Sequence, residues 1–317
     1  MITPFISWEV KTVQKITYSN QDFSQDIYVF DQPKQPKAVI HLVHGLFEYG
    51  MRYQDIAEIF VHFGFVVLSH DLPGHGSQQV EQGLIDFENH EVLLQSVRHV
   101  KDYMINEYAN LKHILVAQEL GSMIAQTLLQ KERNLYDQVF LLSPTLLPKS
   151  KLARWRCMSR VISLFKKPLM PSEYLSRLVL DKPYRRMRKN GIINEKHEWF
   201  TTDKAMQKEY LSDAKMGYAL SLRAHKAVIA LYQESKRYQK LKKQASSMPI
   251  HFFCGDQDAY CDYGNHAKAL YSIYFKKGYT NLHFSVYQDA RHELFREVQR
   301  QKVVTDITDY IHKKLFK

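Results

Sequence analysis

The chain has 317 residues, enough for one large domain or for a core with a sizeable insertion. Hydrophobic residues at 45% and aromatics at 13% supply a packed core and exclude general disorder. The start, Met1-Ile2-Thr3-Pro4-Phe5, lacks the charged-then-apolar run of a signal peptide, and the longest apolar stretch, Ile59 to Leu68, is broken by His62 and Gly64. Three cysteines (Cys157, Cys254, Cys261) without zinc spacing read as reduced thiols in a cytoplasmic protein.

Charge is distributed unevenly. Between Lys149 and Lys243 there are 24 Lys and Arg against 8 Asp and Glu, an excess of 16, whereas the rest of the chain has 20 basic and 25 acidic residues. One internal segment therefore carries the whole positive excess of a +11 protein. Pro168, Pro171 and Pro183 interrupt it, and Tyr, Trp and Met alternate with its Lys and Arg. This texture predicts an inserted domain.

The flanking parts alternate strand and helix. A strand over 37–44 precedes a helix near Arg52 to Phe63; a second strand over 65–70 runs into the turn Pro73-Gly74-His75-Gly76. A helix from about Glu88 to Tyr108 leads to a strand, sharp turn and helix over 112–125, and a strand at 139–144 closes the first half. After the basic segment come a strand at 249–254, a helix near Asn265 to Lys277, a strand at 282–287 and a helix from about Val298 to Leu315. Short apolar strands alternating with amphipathic helices predict an α/β fold: a mostly parallel central sheet with helices on both faces. The expected organisation is a core over 1–147 and 246–317, with a basic helical cap at 148–245.

Several spaced motifs carry a resemblance. His44-Gly45-Leu46-Phe47-Glu48-Tyr49-Gly50-Met51-Arg52-Tyr53 is similar to H-G-x-x-E-x-x-x-R-Y, and Asp71-Leu72-Pro73-Gly74-His75-Gly76-Ser77 to D-x-x-G-H-G-x-S, one residue shorter. Gly255-Asp256-Gln257-Asp258 is similar to a G-x-x-D acid loop, and Ala290-Arg291-His292-Glu293 to an A-R-H-E turn. Trp199 to Asp203 and Tyr210 to Asp213 resemble a bacterial cap, with Thr202 where arginine is usual. In order and spacing the chain resembles the monoacylglycerol lipase and lysophospholipase branch of the α/β-hydrolases, the serine aminopeptidase S33 type. The resemblance implies carboxylic ester hydrolysis on acyl-glycerols or lysophospholipids, with no metal and no organic cofactor.

The departure lies in Ala117-Gln118-Glu119-Leu120-Gly121, which aligns with the nucleophile pattern G-x-S-x-G and puts Glu119 in the serine position. His292 is then the expected general base and Asp258 its orienting acid; the backbone N–H groups of Leu46 and Leu120 are the expected oxyanion hole. A carboxylate there supplies no hydroxyl, and it is expected to pair with protonated His292. Two readings stay open: a catalytically degenerate relative that keeps the acyl pocket, or an active hydrolase using Glu119 as carboxylate nucleophile or base with His292 and Asp258.

Other polar residues invite plainer readings. Ser122 and Ser143 read as satisfied polar residues, Glu48, Arg52 and Tyr53 as a clamp on the loop after His44, and His75 as a loop brace. The remaining histidines show no metal-ligand spacing. The basic cap suits an anionic membrane or lipid headgroup, with Arg185, Arg186, Arg188, Lys189, Trp199 and Phe200 as contacts, and no nucleic-acid module is evident.

Overall fold

The computed structural model describes residues 13–21, 23–79, 81, 83–132, 135–216, 219–241 and 247–315. The signal-peptide reading at Met1 to Phe5 and the expected boundary at 245/246 lie outside them.

The polar strand β1 (Gln14–Ser19) and the half-buried β2 (Ser24–Val29) open the sheet as an antiparallel pair at one edge. They are followed by β3 (Ala38–Val43), α1 (Gln54–His62), β4 (Phe65–His70), the two-residue β5 (Leu84–Ile85) and α2 (His90–Glu107). Next come β6 (Lys112–Gln118), α3 (Leu120–Lys131) and β7 (Gln138–Leu142). The chain then leaves the sheet through α4 (Lys149–Ile162), α5 (Glu173–Lys189), α6 (Lys204–Ser212), the short β8 (Ala219–Leu220) and α7 (Leu222–Ser235). It returns for β9 (Ile250–Gly255), α8 (Asn265–Lys276), β10 (Leu282–Tyr287) and α9 (Arg300–Leu315). The eight strands run in the order β1-β2-β4-β3-β6-β7-β9-β10. From β4 to β10 every pairing is parallel, as the apolar runs predict.

Successive side chains of a strand point to opposite faces, so each buried strand feeds two layers. Val39 and Val43 of β3 join a cluster with Leu93 of α2, Met123 of α3, Val228 of α7 and Leu270 of α8. Ala38, Ile40 and Leu42 of the same strand pack with Ile56 and Phe60 of α1 and Val303 and Ile307 of α9. Each buried Val, Leu, Ile, Met or Phe among them contributes roughly 1.5–3 kcal/mol. α7, which falls inside the expected cap, packs directly on α3 and shares its apolar cluster. Its start is also tied down: β8 pairs with β5, and the Ser221 hydroxyl donates to Asp86 at 2.5 Å beside the Arg223–Asp86 ion pair.

Two buried thiols, Cys254 and Cys261, and the exposed Cys157 are all free. Among the described residues no helix is long and apolar enough to cross a membrane.

Candidate functional site

β6 is buried to its last residue, and the Glu119 amide still donates to Leu142 of β7 at 3.0 Å. The backbone then turns at once into α3, which forces Glu119 to φ 42° and ψ −99°. A non-glycine residue in such a conformation costs on the order of 1–3 kcal/mol. The turn closes only because Gly121 lacks a side chain: a Cβ there would lie 2.6 Å from the Val43 carbonyl. Sequence and strain thus agree on a sharp elbow that lifts Glu119 above the edge of the sheet.

The expected partners converge on it. Asp258, after β9, accepts from the Tyr260 and Cys261 amides at 2.8 and 3.1 Å and from His292 Nδ1 at 2.9 Å. The His292 carbonyl is held by the Ser143 hydroxyl at 2.6 Å and the Gln118 amide at 3.0 Å. Ser143 is thereby a positioning residue, and Ser122 donates to the Glu119 carbonyl at 2.9 Å, in keeping with the plain readings of both. The Leu46 N–H donates to Glu119 Oε2 at 2.8 Å, and the Leu120 N–H also stabilises the carboxylate.

The expected pairing of Glu119 with His292 persists as a charge–charge attraction, while the direct contact of the carboxylate is to the amides. Among the described residues the ion-pair partner of His292 is Asp258. The carboxylate turns to the two amides because they satisfy it inside a dry site, where an unpaired oxygen costs most. Electrostatics follow from burial. Burial would lower the His292 pKa, but the Asp258 carboxylate, followed by Glu119, outweighs it and raises the imidazole to about 9. Burial raises Glu119 above the usual carboxylate range, and His292 with the Leu46 and Leu120 amides offsets part of that rise.

The loop after β3 is fixed from below. Glu48 Oε2 accepts from the Gly45 amide at 2.8 Å and the Tyr53 hydroxyl at 2.9 Å. Arg52 bridges Glu48 and Glu293 at 2.5 Å each, and Glu293 is raised to about 7 by burial and by Glu48 against the pull of Arg52. His75 Nε2 reaches the Leu46 carbonyl at 2.7 Å. These groups aim the Leu46 amide, as clamp and brace residues do.

A cavity of about 220 Å³ opens over Glu119 and His292. Trp199 roofs the histidine, with ring centroids 5.1 Å apart, and Tyr260 stacks obliquely on Trp199 at 4.7 Å. Trp199 thus faces inward and Phe200 has no exposed surface, so neither is placed to anchor a membrane. Trp199 packs against Met187, Ile193 and Ala259, and the Phe200 ring against Trp199 and Tyr210, which explains the difference. Arg185, Arg186, Arg188 and Lys189 are all exposed, and Arg186, ion-paired with Asp262, also borders the cavity. Sequence reading names Arg291 within the A-R-H-E turn without a role for it; its side chain donates to the Glu198 and Thr201 carbonyls at 2.6 and 2.9 Å and to Ile192 at 2.7 Å. It stitches the histidine turn to the segment before α6. Sequence reading missed Lys151 and Lys182, whose place at the cavity depends on how α4 and α5 fold back.

Strand order, two-sided helix packing and the elbow at Glu119 define the protein as an α/β-hydrolase. More narrowly, the chain belongs to the serine aminopeptidase S33 family, whose family model matches residues 34–299. Human monoglyceride lipase is 29% identical over 119 residues, 37% of this chain and 38% of that protein. A monoglyceride lipase homolog of Monkeypox virus is 30% identical over 109 residues, 34% of this chain and 39% of its own. The matched stretch therefore spans under two-fifths of these curated relatives. Among solved structures, a lipase in an open form superposes with a TM-score of 0.83 at 19% identity, covering 96% of this chain and 100% of that one. A soluble variant of Saccharomyces cerevisiae monoglyceride lipase bound to a substrate analog gives 0.73 at 13%, covering 97% and 99%. At these identities the likeness is one of fold.

Proposed function

We propose that the protein binds single-chain acyl-glycerol or lysophospholipid esters in the cavity beneath a helical cap and does not hydrolyse them. The observation that carries this reading is the contact of Glu119 Oε2 with the Leu46 N–H at 2.8 Å. An ester carbonyl would need that amide, together with the one at Leu120, to stabilise the negative oxygen of a tetrahedral intermediate. The carboxylate of the chain itself occupies them, brings negative charge to the same point and offers no hydroxyl to attack carbon. His292, raised to about 9, stays protonated at neutral pH and cannot take a proton from water. The lipid class rests on the monoglyceride lipase-like family and on the apolar aromatic cavity wall. The basic outer face of the cap is assigned to peripheral contact with an anionic membrane, on the strength of its charge excess.

The test is hydrolysis of a monoacylglycerol, a lysophospholipid and a short-chain aryl ester by wild type, Glu119→Ser and Glu119→Ser/His292→Ala. Wild type is expected to be silent. Glu119→Ser is expected to gain turnover, because the substitution frees both amides, supplies a hydroxyl and removes a charge that holds His292 protonated. The double variant is expected to lose that gain. Turnover by wild type that vanishes both in Glu119→Gln and in His292→Ala would instead establish Glu119 as a working nucleophile or base.

A further inference from the structure

The cap-side mouth of the cavity is more basic than a neutral glyceride requires. Lys151 and Lys182 both border it, from the first turn of α4 and the middle of α5, and Arg186 lies one turn beyond Lys182. Lys149 and Lys236 lie just outside, the latter donating to the Leu147 carbonyl. The acids around this space are engaged elsewhere. Glu119 is held by Leu46, Glu48 and Glu293 share Arg52, Asp262 pairs with Arg186, and Asp181 lies 3.5 Å from Arg185.

α4 itself makes the excess sharper. Its first turn contains no acid and two lysines, and its N-cap, Pro148, supplies no side-chain hydrogen bond. A helix N-terminus carries a partial positive charge and favours anions, so lysines there oppose the dipole. Burial and then the charge of Lys182 push Lys151 down to about 8, which records the same crowding. Apolar side chains, Leu147, Trp155, Val228 and Tyr232, line the cavity next to this mouth.

We infer that the cavity takes a single-chain amphiphile with an anionic head, a phosphate monoester or a carboxylate, seated between Lys151, Lys182 and the N-terminus of α4. The chain of the ligand lies along Trp155 and Val228. This inference rests on the lipid-cavity reading and shifts it toward single-chain lipids that end in a negative group.

Trp155 and Trp199 border the cavity, so intrinsic fluorescence reports occupancy. Wild type, Lys151→Met/Lys182→Met and the exposed-face control Arg177→Met are titrated below micellar concentration with oleoylglycerol phosphate, oleate and mono-oleoylglycerol, and with inorganic phosphate. The expected result is at least about tenfold tighter binding of an anionic ligand than of mono-oleoylglycerol, since a charged hydrogen bond is worth roughly 1.5–3 kcal/mol and each 1.4 kcal/mol is tenfold. The double lysine variant is expected to abolish that preference and Arg177→Met to retain it. The ranking of oleoylglycerol phosphate against oleate assigns the head as phosphate or carboxylate. Equal affinity for the neutral lipid, or a preference that survives in the double variant, overturns the inference and leaves the lipid-cavity reading standing. Inorganic phosphate binding as tightly as the lipid overturns it in favour of a free-anion site. Failure of every lipid to bind overturns both readings together.

Discussion

At His292 the structure sets a sign that solution measurements can read. Its imidazole is buried between Asp258 and Glu119, and its pKa rises from 6.5 to about 9. Protonation is therefore favoured more in the folded protein than in the unfolded chain. The stability this adds is complete below about pH 6.5 and is lost as pH climbs through 9. Wild type is expected to lose thermal stability between pH 7 and 9.5, with the His292 ring nitrogens remaining protonated at pH 7.5 by NMR. Asp258→Asn removes the main charge and is expected to bring the ring's titration down toward or below the ordinary histidine value. A wild-type His292 that titrates near 6.5 would remove the electrostatic basis for calling its proton unavailable. Glu119 shifts in the same direction for a different reason: burial disfavours its charge, so its ionisation with rising pH also subtracts from stability.

Between residues and molecule stand the loops that the sheet edge holds in register. Arg52 is the hinge of one such assembly, satisfying Glu48 under the Leu46 amide and Glu293 beside His292. Arg52→Met leaves two buried carboxylates facing each other, and removing one partner of a buried pair costs about 3–5 kcal/mol. Urea denaturation is expected to show a loss of that order, larger than for Arg177→Met on the exposed face of α5. Much of this arrangement was legible beforehand. The apolar runs at 37–44, 65–70, 139–144, 249–254 and 282–287 and the strand expected at the start of 112–125 became β3, β4, β7, β9, β10 and β6, because a strand covered on both faces reads as a near-continuous apolar run. β1 was not legible, since Gln14–Ser19 lies largely exposed at the sheet edge and carries a polar sequence. The convergence of Glu119, Asp258, His292 and Leu46 followed from motif spacing. The direction in which the Glu119 carboxylate turns did not, because a rotamer chosen between an imidazole and two amides leaves no periodicity in sequence. Trp199 was misjudged for a related reason: an aromatic among basic residues reads as a surface anchor until the fold places a histidine beneath it.

On the scale of the whole molecule, the basic segment also carries exposed apolar side chains. Leu164 and Phe165, which follow α4, are 77% and 83% exposed and adjoin Lys166 and Lys167 in sequence. Cations near an anionic bilayer contribute about 1 kcal/mol each and are screened by salt. Co-sedimentation with phosphatidylserine-containing vesicles is therefore expected at low salt and lost at high salt. Neutralising Arg185, Arg186, Arg188 and Lys189 together is expected to weaken it, and absence of binding at low salt would reject peripheral membrane contact.

The pairing of β7 with β9 has a further consequence for how the chain reaches this state. The two strands are neighbours in the sheet, yet α4 to α7 separate them in sequence. Loop closure grows so slowly with length that doubling the intervening segment adds only about 0.6 kcal/mol. The sheet can therefore accommodate extra length in the loops of the insert at little equilibrium cost, so long as α7 keeps its packing on α3. The delay is kinetic: until β9 docks, β7 presents an unpaired parallel edge, and an incompletely folded chain is most open to association with its neighbours along that edge.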